Sequence, residues 1–174
     1  EVGRKHSPIF LGLVNERESS SPSVAATGGV PAATAVAAAR PAAGVGELLA
    51  QCDDSTWSVR CDGFRELRRF CRPESAMEVL RHLDAVVGAF LEHCNDAHHR
   101  VSQAALASLA AFIECFAEHF EGYLTRLIPN VFLKISDAKE STRDAAVAVL
   151  EAIRAAYGSE VLLPVLMKTL ENSH

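Results

Sequence analysis

Apolar and polar positions recur along this chain in a pattern that is written three times. Each copy is anchored on an aspartate: Asp54, Asp96 and Asp137. Counted forward from the anchor, position +5 holds Val59, Val101 and Thr142, and position +10 holds Phe64, Leu106 and Val147. Position +13 holds Leu67, Leu109 and Leu150, and +16 holds Phe70, Phe112 and Ile153. Counted backward, position −9 holds Val45, Val87 and Ile128, −6 holds Leu48, Phe90 and Val131, −5 holds Leu49, Leu91 and Phe132, and −2 holds Cys52, Cys94 and Ile135. Both series follow the spacing of one helix face. Each unit therefore reads as a first helix, a short loop at the aspartate, and a second helix. The pattern predicts loops at residues 53–56, 95–98 and 136–139, and second helices over residues 57–71, 99–118 and 140–157. Asp, Ser or Thr in each loop is expected to cap the helix that follows.

The anchors stand 42 and then 41 residues apart, the length of a two-helix repeat of the HEAT/armadillo kind. The predicted fold is an all-α solenoid. Pro73-Glu-Ser75, Phe120-Glu-Gly122 and Gly158-Ser159 punctuate the units, and residues 161–170 resemble another first helix. About three helix pairs plus one further helix are expected. Position +9 is Gly63, Ala105 and Ala146, small enough for neighbouring helices to approach closely. Arg60 and Arg143 share position +6, where the middle copy has Ser102. In HEAT-type repeats this arginine bonds the loop carboxylate of a neighbouring unit, so both are read as structural.

Residues 1–44 lie outside the periodic region and are expected to form a disordered Ser/Pro/Ala-rich tail or linker, with a repeat domain over 45–174. The Ala-rich part is broken by Gly28-Gly29, Pro31 and Pro41, and it has no large side chains to offset the entropy of ordering. Of 174 residues in all, with a net charge of −5, the repeat region carries 13 basic and 19 acidic residues. That balance argues against a general nucleic-acid binder. The five cysteines are odd in number and lack CxxC spacing, which favours buried, reduced thiols and a cytosolic compartment. No signal peptide is visible, and no run reads as apolar enough to span a bilayer. The chain starts without Met and is expected to belong to a longer, multi-domain one.

Catalytic motifs are absent: there is no GxSxG, P-loop or dinucleotide turn. The expectation is a binding protein, not an enzyme, with no cofactor. Cys94 and His98 are spaced to meet at a zinc ion, but structural zinc needs four ligands and Cys94 already serves as a core position, so no metal is expected. What differs between the copies is the loop residue after the aspartate. The first loop offers Trp57, the second His98, His99 and Arg100, and the third Lys139. Stacked repeats align equivalent loops along one edge. Trp57 can be an interface anchor there or a lid on the first helix pair. For His98 and His99 the plain alternative is a solvated loop and cap.

These loops carry a family resemblance. Asp53-Asp-Ser-Thr-Trp-Ser-Val-Arg-Cys-Asp-Gly-Phe64 resembles the first repeat of a TOG domain, in which a Trp follows the loop Asp and an Arg follows three residues later. Asn95-Asp-Ala-His-His-Arg-Val-Ser-Gln-Ala-Ala-Leu106, Tyr123-Leu-Thr-Arg-Leu-Ile-Pro-Asn-Val-Phe132, Asp137-Ala-Lys-Glu140 and Ser159-Glu-Val-Leu-Leu-Pro-Val-Leu166 resemble the cytoplasmic linker-associated proteins (the CLASP family), plant-type members in particular. The resemblance covers residues 45–174. It implies a cytoplasmic, microtubule-associated module that binds αβ-tubulin through its intra-repeat loops and regulates microtubule dynamics. It further implies Trp57 as apolar anchor, His98, His99 or Arg100 as second-loop contacts, and Lys139 as the basic third-loop contact. Neither nucleic acid nor membrane is an expected partner. A full TOG domain has six repeats and this chain about three and a half. The alternative is a HEAT scaffold that binds another protein without preference for tubulin.

Overall fold

The computed structural model describes residues 43–171, and every described element is helical. The expected tail falls almost wholly outside these residues. Eight α-helices follow one another: α1 (Val45–Cys52), α2 (Trp57–Leu67), α3 (Ala76–Arg81), α4 (Leu83–His93), α5 (His99–Phe120), α6 (Leu124–Ile135), α7 (Glu140–Ala156) and α8 (Ser159–Glu171). Single 3-10 turns lie at Arg68–Phe70, Pro73–Ser75 and Glu121–Tyr123.

The helices form two layers. In one, α1 packs on α4, α4 on α6, and α6 on α8; in the other, α2 packs on α5 and α5 on α7. Within each repeat the pairs α1–α2, α4–α5 and α6–α7 join the layers. This is the all-α solenoid that the 42-residue and 41-residue periods imply, with three pairs and a further helix.

The core runs along the seam between the layers. Phe64, Phe90 and Phe112 are fully buried and form an aromatic ladder from one repeat to the next, with ring centroids 6.1 Å and then 5.4 Å apart. Phe112 continues it to Phe120 at 6.5 Å. Close approach of α2 to α1 depends on Gly63: a Cβ there would lie 2.9 Å from the Cys52 backbone nitrogen and 3.1 Å from its Sγ. Hydrogen bonds tie repeats together where side chains reach across. Ser108 donates to the Phe64 carbonyl at 2.7 Å, and the Tyr157 hydroxyl donates to the Ala117 carbonyl.

The structure departs from the sequence expectations in several places, among them the second helix of the first repeat, which ends at Leu67 and passes into a 3-10 turn. The first helix of the second repeat is broken at His82, with α3 before it and α4 after. From α3, Glu78 accepts a hydrogen bond from the Val45 N–H at 2.9 Å, so this short helix satisfies a free donor at the start of α1. The cysteines are not all buried: Cys52, Cys61 and Cys94 are, Cys71 is half-buried and Cys115 is exposed. The helical run His99–Ile135 is, by length and composition, apolar enough to cross a membrane; most of its apolar window is buried inside the protein, as in a core helix. Finally, position +10 is buried at Phe64 and Leu106, but Val147 is 42% exposed. Phe64 is covered by Phe90 and His93 of the next repeat, whereas past α7 only α8 follows among the described residues.

Candidate functional site

Each intra-repeat loop is built on the same short device. The anchoring aspartate accepts a hydrogen bond from the backbone N–H two residues on. Asp54 takes Thr56 at 2.6 Å, Asp96 takes His98 at 2.7 Å, and Asp137 takes Lys139 at 2.9 Å. Thr56, His98 and Lys139 are the N-cap residues, and none makes a side-chain cap. The expected capping therefore takes another form: the aspartate fixes the turn that delivers the N-cap residue, leaving that residue's side chain free to differ between copies. The N-cap carbonyls accept from Val59, Val101 and Thr142, starting each second helix in the same register. As a result Trp57, His99 and Glu140 occupy equivalent first positions of α2, α5 and α7.

The first two loops are locked to each other through Asp96. Arg60 donates to both of its carboxylate oxygens, from Nε at 2.9 Å and Nη2 at 3.0 Å, and from Nη1 to the Asp54 and Ser55 carbonyls at 2.8 and 3.1 Å. His93 Nδ1 lies 3.0 Å from Asp96 Oδ2. Since an ionised carboxylate only accepts, this ring nitrogen carries the proton. Burial pulls the Asp96 carboxyl upward, but hydrogen bonds from Arg60, the His98 N–H and His93, with the Arg60 charge, outweigh it and hold the group below the ordinary carboxylate range. Arg143 repeats only the local half of the arrangement, donating to the Asp137 and Ala138 carbonyls at 2.9 and 3.3 Å. In the middle copy Ser102 donates to Cys94 O at 2.6 Å, so no arginine of the second repeat reaches Asp137. Asp137 has instead a looser ion pair with Lys134 at 3.7 Å.

On this frame the unlike residues meet. Trp57, 39% exposed, stacks on His98 with ring centroids 4.1 Å apart and planes 8° apart. His98 in turn stacks on His99 at 5.2 Å. The Arg100 guanidinium lies over the Trp57 ring, 5.6 Å from its centroid, within cation–π range. Four of the five loop residues singled out from the sequence thus form one aromatic and cationic patch across two repeats. Trp57 is not a lid buried on the first helix pair; its ring bridges to the second loop. Nδ1 of His98 has no hydrogen-bond partner among the described residues, so this imidazole is held by stacking and by its backbone. Lys139 is exposed on the third loop and takes no part in the ring stacking or the cation–π contact.

Two features were not singled out from the sequence. Arg65, Arg68 and Gln103 join Arg100, Ala104 and Ala107 in lining an open cleft of about 330 Å³ between α2 and α5. The basic run at residues 65–69 was the available signal. Asp53, Glu92 and His93 also place one ligand atom each within 4.8 Å of one another. Asp53 and Glu92 are exposed, and the Asp96 bond leaves His93 only Nε2 to offer. Cys94, weighed as a zinc ligand from its spacing, is a core residue whose thiol burial pushes up to about 12, unfavourable for a metal thiolate.

No family model matches the chain. Over 119 residues it is 36% identical to a protein of Arabidopsis thaliana named CLIP-associated protein, a match that takes in 67% of this chain. The chain spans 8% of the length of that curated relative. The likeness supports a CLASP-like relationship, in keeping with the plant-type resemblance of the loops.

Proposed function

We propose that residues 45–174 form a TOG-like, microtubule-associated module that binds αβ-tubulin through the edge made by its intra-repeat loops, and so regulates microtubule dynamics. The observation that carries this reading is the patch of Trp57, His98, His99 and Arg100. A partly exposed tryptophan, held rigid by stacking and a cation above it, is the kind of anchor that dominates protein interfaces. Its second loop is fixed to the first by the part-buried Arg60–Asp96 pair, so little ordering entropy remains to be lost on binding. Lys139, exposed on the third loop, extends the contact as a peripheral charge. The relationship to a CLIP-associated protein supports the choice of partner. No residue acts as a catalyst in this reading; the function is binding.

The test is co-sedimentation of the full chain with tubulin, as free dimer and as polymer, for the parent and for Trp57→Ala and Lys139→Ala. Trp57→Ala should weaken binding by roughly thirtyfold, the cost of an interface hot spot. Lys139→Ala should weaken it by about threefold, an effect that fades as salt rises. Equal binding by all three would sink the site assignment. No binding by the parent chain would instead favour a HEAT scaffold for another protein.

A further inference from the structure

We infer that the cleft between α2 and α5 is a docking groove for an acidic, extended peptide segment of a partner protein. The chain is net negative, yet the cleft brings together Arg65, Arg68 and Arg100 with the amide of Gln103. Arg65 is paired with Asp62 at 3.0 Å, but both side chains are largely exposed, and such a pair exchanges partners at little cost. Arg68 and Arg100 have no carboxylate partner among the described residues. Three arginines lining one cleft suit planar carboxylates, which guanidinium groups bind two bonds at a time. The two α5 residues Ala104 and Ala107 are small, so the lining on that side leaves room for a peptide backbone.

The groove is continuous with the aromatic patch, because Arg100 belongs to both: it lines the cleft and also covers the Trp57 ring. A carboxylate bound in the cleft competes with the indole for this guanidinium. Trp57 is the sole tryptophan, so its emission reports occupancy directly. The inference stands on charge and shape at the cleft and does not rest on tubulin being the partner.

The experiment uses the full chain and a fluorescein-labelled Glu-Gly repeat peptide, with the Gln-Gly counterpart as a neutral control, read by anisotropy at low salt. Unlabelled Glu-Gly peptide is titrated in parallel while Trp57 emission is followed. The Glu peptide should bind and shift the emission, and the Gln peptide should do neither. Arg68→Glu should weaken binding by about tenfold, and raising the salt should weaken it further. Arg154→Glu, the same charge change on α7 outside the cleft, should stay within about twofold of the parent. Circular dichroism of each variant separates lost binding from lost fold. Parent-like binding by a folded Arg68→Glu variant overturns the proposal, as does equal loss in Arg154→Glu. Displacement of the peptide by a single-stranded oligonucleotide of the same charge, at the same concentration as by the peptide itself, overturns it in favour of an unselective polyanion site.

Discussion

Asp96 and Asp137 hold the same position in successive repeats, yet replacing each by alanine should have very different consequences. Asp96 is 6% exposed and accepts four hydrogen bonds: two from Arg60, one from the His98 N–H and one from His93. Its removal leaves the Arg60 guanidinium, itself 15% exposed, with only two backbone carbonyls. Breaking this part-buried pair by deleting one partner costs about 3 kcal/mol, the low end of the range for buried pairs, because the remaining guanidinium keeps some access to water. Asp137 accepts one N–H bond and a loose ion pair with Lys134, so its loss should cost only about 1 kcal/mol. At roughly 4 °C per kcal/mol for a domain of this size, Asp96→Ala should lower the melting temperature by about 12 °C or more, and Asp137→Ala by about 4 °C. Thermal circular dichroism at neutral pH measures both. The pH dependence has a defined sign. The folded state holds Asp96 below its ordinary value, so its stabilisation is present above the unfolded pKa and is lost as the pH falls through the folded one. The gap between parent and Asp96→Ala should therefore be full at neutral pH and narrow below about pH 4. Asp96→Ala should also alter Trp57 emission, since the second loop no longer holds His98 against the indole. Equal melting temperatures for the two variants, or a gap that widens in acid, would refute this account of the loop.

Three further outcomes are expected. Gly63→Ala should destabilise by about 1–3 kcal/mol despite the better helix propensity of alanine, because the new Cβ would meet the Cys52 backbone at 2.9 Å; an unchanged urea midpoint would show that α1 and α2 can separate freely. Thr142→Val should raise stability by up to about 1 kcal/mol, since the Thr142 hydroxyl is buried with no partner among the described residues and the equivalent positions are Val59 and Val101; chemical denaturation reads the sign. Native protein treated with a thiol-reactive chromogen should label the exposed Cys115 fast and the buried Cys52 and Cys94 slowly, because burial pushes those two thiols up to about 12; all five cysteines should react once the chain is denatured.

The repeat framework was legible because periodicity survives projection onto one dimension. Positions +9 and +13 fall on the buried side of the second helices at Gly63, Ala105, Ala146, Leu67 and Leu109, with Leu150 half-buried. The loop boundaries were equally legible: α2, α5 and α7 begin at residues 57, 99 and 140. Less visible was anything that depends on a neighbouring repeat. Val147 fits the apolar pattern as well as Phe64 does, but its burial depends on what stacks beyond α7. The break at His82 was hidden because the sequence around it is helix-forming on both sides. All five cysteines were expected to be buried, yet Cys115, on α5, is exposed.

By itself, then, the sequence determined the solenoid, its three loops and the identity of the unlike residues on them, because helix periodicity and turn chemistry are local properties. It named Trp57, His98, His99, Arg100 and Lys139, without indicating which of them touch. Tertiary structure alone decided that Trp57 stacks on His98, that Arg100 covers the indole and also opens into a cleft with Arg65 and Arg68, and that Lys139 stands apart. The physical reason is Asp96. One buried carboxylate, gripped by Arg60 from the preceding repeat, draws the first two loops together, while Ser102 in place of an arginine leaves the third loop outside that grip.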